Sequence, residues 1–117
     1  MTTVPAGGPL LHVAHDADLE RARRSGRYRC GSLDAEGFVH CCDAGQLAGV
    51  LARYYAGVDG LTLLEIDPRA LDVAVVREGV PGGERFPHVY GSISLAAVRR
   101  TEPFGLDAPA RTALPGA

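Results

Sequence analysis

Apolar positions along this chain recur at spacings that mark two helices and a series of short strands. Leu10 to Ala14 reads as a strand with His12 at its centre. Asp16 is placed to cap a helix running to about Ser25, and Gly26 to end it. Arg27 to Gly37 reads as a polar connection, followed by a second short strand at Phe38-Val39-His40-Cys41. Asp43 then caps the clearest helix, Ala44 to Ala56. Its Leu47, Val50, Leu51, Tyr54 and Tyr55 follow the i, i+3, i+4, i+7, i+8 pattern of one continuous apolar face. Gly57 to Gly60 is a turn, and Leu61 to Ile66 is a strand buried on both faces. Asp67-Pro68 breaks it. Val73 to Arg77 is a further β-branched run, Gly79 to Gly83 a loop, and Pro87 to Tyr90 and Ile93 to Arg100 are the last strands.

The order β-α-β-α and then several strands is not the regular alternation of a doubly wound fold. It predicts an α+β domain: a small mixed, mostly antiparallel sheet with two main helices packed on it. Residues 10–103 make the single domain, between a loose Gly/Pro-rich start (1–9) and a flexible Pro/Ala/Gly-rich tail (104–117). The 117 residues are enough for one core without staples. No internal repeat is present.

Composition narrows the chemistry. Apolar residues make up 46% and charged residues 22%, a globular balance. All 12 basic residues are Arg, as expected of a GC-rich coding bias. A formal net charge of -2 argues against bulk nucleic-acid binding, which needs a basic face. The three cysteines, Cys30, Cys41 and Cys42, form no disulfide framework and no C-x-x-C motif. With no signal peptide and no apolar run of membrane-spanning length, a cytoplasmic location is expected, with no membrane partner.

Three of the four histidines sit in matching apolar contexts: Leu-Leu-His12-Val-Ala, Gly-Phe-Val-His40-Cys and Phe-Pro-His88-Val-Tyr-Gly. Separate strands can bring such side chains together, and imidazole suits proton transfer near neutral pH. A histidine in an apolar strand is more often a satisfied core residue, so the recurrence, and not any one of them, makes the case. No H-x-H, H-E-x-x-H or C-x-x-C spacing supports a metal site, and none is assigned. Cys42, two positions after His40, falls on its side of the strand and is a candidate contact; the plain alternative for both Cys41 and Cys42 is a small buried residue. Ser32 and Glu36, with Asp34, precede His40 in the polar connection and would form a wall of the site. Glu78 and Glu84 flank the Gly-rich loop before His88, where either would orient a histidine or act as an acid. Gly79-Val-Pro-Gly-Gly lacks the P-loop lysine, and no G-x-G-x-x-G follows a strand.

Taken in order, Leu-Leu-His-Val-Ala, Gly-Arg-Tyr-Arg-Cys-Gly-Ser-Leu, Glu-Gly-Phe-Val-His-Cys, Gln-Leu-Ala-Gly-Val, Leu-Leu-Glu-Ile-Asp and Phe-Pro-His-Val-Tyr-Gly closely resemble the bacterial family catalogued as domain of unknown function family 952, from about Leu10 to Pro103. The fold of that family has been likened to the ADP-ribosyltransferases and RNA 2'-phosphotransferases. The resemblance implies an ADP-ribosyltransferase-like fold with NAD as a possible cofactor. It further implies that His12 grips the ligand, that His40 stands on the second core strand, and that the region around His88 and Tyr90 closes the pocket. Two positions depart from the family pattern: Leu11 replaces an aromatic residue, and Cys42 replaces a serine.

The leading expectation is an enzyme with a pocket lined by His12, His40 and His88. In it Ser32 and Tyr90 add hydrogen bonds, and the ligand is NAD, ADP-ribose or a nucleotide phosphate. One alternative is a cofactor-free acid-base enzyme (cyclase, lyase or isomerase) of small-molecule or natural-product biosynthesis. The other is a non-catalytic small-ligand binding module.

Overall fold

The computed structural model describes residues 8–79 and 81–104. The expected loose start and tail lie outside these, apart from residues 8–9 and 104. The class is α+β as read from the sequence. The ladders among the described residues are antiparallel and divide over three small sheets.

The first sheet has the order β1-β4-β8, with β1 at Leu10–His15, β4 at Leu61–Ile66 and β8 at Val98–Phe104. Its central strand explains its place. In β4, Leu61 and Leu63 face one way and Leu64 and Ile66 the other, and all four are buried. Each such side chain contributes about 1.5–3 kcal/mol on burial. Two apolar clusters result, one on each face. The first holds Leu10, Ala14, Leu19, Ala22, Tyr28, Val39, Leu64, Ile66 and Val89 among others. The second holds Leu11, Val13, Cys42, Leu47, Leu61 and Leu63.

Helix α1 (Asp16–Ser25) crosses the first cluster through Leu19 and Ala22. Its cap position is His15, one residue earlier than expected. Asp16 is instead bound to β4, accepting from Thr62 Oγ1 at 2.7 Å, while its N–H reaches Gly60 O at 2.9 Å. Asp16 and Asp18 in the first turn and Arg23 and Arg24 in the last both suit the helix dipole. Gly26 (φ 86°) closes the helix, with its N–H on Ala22 O.

The expected polar connection of 27–37 is ordered. It contains strand β2 (Arg27–Tyr28) and helix α2 (Gly31–Glu36), ended by Gly37 at φ 92°. Two-residue strands and a helix this short carry no periodicity to detect, and tertiary pairing decides them. The second sheet pairs β2 with β7 (Ile93–Ser94). The expected strand 93–100 is broken after β7 by a 3-10 turn at Leu95–Ala97, where Ser94 Oγ accepts from Ala96 N–H, and β8 begins afterwards. β8 continues through Pro103, further than expected; as an edge strand it tolerates a proline.

The third sheet has the order β3-β6-β5: Val39–His40, Phe86–Val89 and Val75–Glu78. Helix α3 (Leu47–Tyr54) follows a 3-10 turn at Ala44–Gln46 and is shorter than the expected 44–56. Asp43 N–H donates to Gln46 Oε1 at 2.9 Å, and the Gln46 amide nitrogen donates to Arg85 O at 2.7 Å. The Asp43 carboxylate is held bidentate by Arg77 at 2.7 and 3.0 Å, tying the helix start to β5. Leu47, Val50, Leu51 and Tyr55 face the second cluster as expected; Tyr54 turns outward instead, beside Arg53.

Candidate functional site

The third sheet has an inner and an outer face. Val39 and Val89 turn into the core. In the register, His40 stands opposite His88, and His88 opposite Val76. Alternation therefore gathers His40, His88, Val76 and Glu78 on the other face, which is open to solvent. Tyr90, just beyond β6, and Phe38, just before β3, extend it.

Two histidine-carboxylate pairs form there. His40 Nε2 is 2.7 Å from Glu36 Oε1, and His88 Nδ1 is 2.6 Å from Glu78 Oε1. The pairing is local in both cases: Glu36 ends α2 four residues before His40, and Glu78 is a diagonal cross-strand neighbour of His88. Tyr90 Oη donates to the same Glu78 oxygen at 2.6 Å. Those two bonds, from Tyr90 first and His88 second, hold the Glu78 carboxyl below its ordinary range; the same contact raises the Tyr90 phenol. The two imidazoles meet at right angles, centroids 5.1 Å apart. Phe38 organises them: it stacks on His88 at 4.0 Å and meets His40 edge-on at 4.8 Å. The His40 side chain is 52% exposed and that of His88 14%.

The carboxylates also fix which nitrogens stay available. An ionised carboxylate only accepts, so His88 presents Nε2 and His40 presents Nδ1. The two rings thus leave opposite nitrogens unengaged by their carboxylates, and an imidazole in either form can give or take a proton there.

His12 stands apart. It is 6% exposed, in the first sheet, and both ring nitrogens are engaged. Nδ1 lies 2.6 Å from the backbone oxygen of His40, and Nε2 lies 2.7 Å from Tyr28 Oη. A carbonyl oxygen only accepts, so Nδ1 carries the hydrogen and Nε2 accepts from the phenol. Burial lowers the His12 pKa to about 4, keeping it neutral. Burial also pushes the Tyr28 phenol up. The three histidines therefore do not line one pocket. Two share an open face, and the third sits in the core behind the backbone of one of them.

The other expected contacts divide. Glu36 and Tyr90 belong to the face. Ser32 supports it from behind, its hydroxyl donating to Phe38 O at 2.8 Å. Glu84 lies in the loop before β6, its backbone carbonyl tight against Gly79, where an added Cβ would sit 2.1 Å from that oxygen. Cys42 is displaced from the site. After His40 the chain passes to the first sheet, where Cys42 pairs with Leu11 through two 2.8 Å backbone bonds and packs in the second cluster. Burial pushes its thiol up to about 12, far from a neutral-pH nucleophile. Leu11 and Cys42, the two positions expected to depart from the family pattern, are thus direct partners. Phe38 is the site residue that sequence reasoning missed. Its signal was proximity to His40 in a motif already singled out. Among the described residues no group of three or more His, Cys, Asp or Glu side chains is placed to hold a metal ion. No helix among them is long and apolar enough to cross a membrane.

The model of the family described as "Protein of unknown function (DUF952)" matches residues 13–101, so the chain belongs to that family. Three solved structures of the protein CC0527 from Caulobacter crescentus, a structural genomics target, are similar to it. One crystal structure has 28% identity and a TM-score of 0.76, covering 86% of this chain and 89% of that one. A crystal structure of a double mutant gives 27%, 0.76 and the same coverage. The solution structure gives 29% and 0.71, covering 86% and 87%. No curated protein matches the chain.

Proposed function

We propose that this member of a family without an established activity is a cofactor-free acid-base enzyme acting on a small polar molecule, with His40 and His88 as the proton-transferring pair. One observation carries the reading: two imidazoles, each oriented by its own carboxylate, face each other on a solvent-open sheet. Glu36 and Glu78 would hold the rings and stabilise their protonated forms during turnover; Tyr90 would keep Glu78 ionised. Isomerisation, elimination and cyclisation can all be served by such a pair. Small-molecule biosynthesis is the setting that fits this chemistry.

The test needs no prior substrate. The protein is incubated with a bacterial metabolite extract in deuterated water, and mass spectrometry follows conversion and solvent deuterium entering carbon positions. At least one compound should change with wild type, about 10²–10⁴-fold more slowly with His40→Ala or His88→Ala. Equal rates in all three proteins, each folded, would sink the reading.

The aromatic faces of Phe38 and Tyr90 beside the imidazoles support a second occupant, an ADP-ribose-type ligand such as NAD, in line with the resemblance to an ADP-ribosyltransferase-like fold. The gripping residue would then be His88, because both nitrogens of His12 are engaged. Melting temperature should rise with NAD, ADP-ribose or ADP, and the rise should vanish in His88→Ala. Such a shift without turnover would reduce the site to a binding module.

A further inference from the structure

The geometry points to His12 as a positioning residue that, clamped by Tyr28, fixes the backbone from which His40 projects. Segment 40–42 is the crossing between two sheets and has few bonds of its own. β3 is two residues long. Cys41 N–H donates to Pro87 O at 3.0 Å on the third-sheet side. Cys42 exchanges two bonds with Leu11 on the first-sheet side. His40 O, between them, is taken by His12 Nδ1 at 2.6 Å.

That bond depends on a tautomer. Neutral imidazole has one hydrogen to place; the His40 carbonyl calls for it at Nδ1, and a donor at Nε2 holds it there. Tyr28 Oη is that donor, at 2.7 Å, with its ring fully buried and in edge contact with His12. The chain Tyr28 O–H to His12 to His40 C=O therefore runs in one direction, from the core to the backbone behind the exposed imidazole. A histidine is well suited to this place because it accepts on one side and donates on the other across a rigid ring. The proposal rests on the acid-base reading of His40 for its catalytic consequence, and its test is independent of turnover.

Imidazole and amide NMR on the full chain distinguish this role from plain core filling. Asparagine keeps a donor near the Nδ1 position, whereas leucine fills the space without one. His12→Asn should retain the nuclear Overhauser contact between the His40 and His88 rings. His12→Leu should lose it, and its Cys41 amide should exchange about tenfold faster than in His12→Asn, the consequence of one lost buried hydrogen bond. A folded His12→Leu with the ring contact and Cys41 protection intact would overturn the proposal. Should His12→Leu fail to fold, Tyr28→Phe carries the test. Removing the hydroxyl should take away the donor at Nε2, visible as a shift of that ring nitrogen, loosen the ring and weaken the His40–His88 contact. An unchanged His40–His88 contact would overturn it equally. Since neither readout needs a substrate, absence of catalysis leaves this inference standing, and its failure leaves the His40–His88 chemistry to be judged on turnover alone.

Discussion

His12 and His88 lie in nearly interchangeable sequence contexts, yet the fold assigns them opposite physics. His12 is enclosed between the first sheet and Tyr28, with both nitrogens spent and its pKa lowered to about 4. His88 lies on the outer face of the third sheet, one nitrogen oriented by Glu78 and the other available. The difference teaches that an apolar strand context announces a strand, not a role. The role depends on which face of which sheet the side chain occupies, and on what stands across from it.

The comparison can be broken at its buried end first. Tyr28→Ala removes a fully buried aromatic and the donor to His12, and should cost about 3–5 kcal/mol, a large fraction of a small domain's stability. Urea denaturation monitored by circular dichroism reads this directly. A loss below 1 kcal/mol, on the order of a surface change, would mean the core tolerates the cavity and the buried pair is peripheral.

Acid tests the same region more gently. His12 is 6% exposed and its folded pKa, about 4, lies below its unfolded value of about 6.5, so the unfolded chain binds more protons in between. Its contribution is fully present above the unfolded value and is lost as pH falls toward the folded one. From pH 7 to pH 5 the loss from this residue should be about 2 kcal/mol. Denaturation curves at both pH values should show it in wild type and not in His12→Asn. Equal slopes in the two proteins would remove His12 as the cause.

The exposed end should respond far less in stability. His88→Ala should cost about 1 kcal/mol, chiefly from the lost stack on Phe38. His40→Ala, with half its side chain in water, should change stability by no more than about 0.5 kcal/mol. Both are read by the same denaturation, and a drop comparable to that of Tyr28→Ala would mean the outer face is part of the core and not a site. With small stability effects, any large loss of turnover in these variants becomes a statement about chemistry.

Much of the frame was legible. The apolar run at Leu61 to Ile66 announced a strand covered on both faces, and the helix of Asp16 to Ser25 ended at its glycine as expected. What escaped was short or paired at long range. β2 and β7 gain their identity only from each other, paired between Arg27–Tyr28 and Ile93–Ser94 across a long stretch of chain. The tract from Leu95 to Ala97 has nothing in its composition to forbid a strand, and Ser94 turns it into a 3-10 turn. Cys42 was assigned to the face of His40 by alternation, which holds only while the chain stays in one sheet; it leaves that sheet at Cys41.

By itself the sequence determined the α+β class, the membership of a family, the strands that carry the histidines and the carboxylates near them in the chain. These depend on local periodicity, caps and motif order, which are properties of neighbouring residues. Only the tertiary structure decided that His40 and His88 meet, that Glu78 and Tyr90 share an oxygen, and that His12 turns inward to Tyr28. Those depend on cross-strand register and on which face is buried, and a one-residue change of register would exchange the two faces without altering a single local signal.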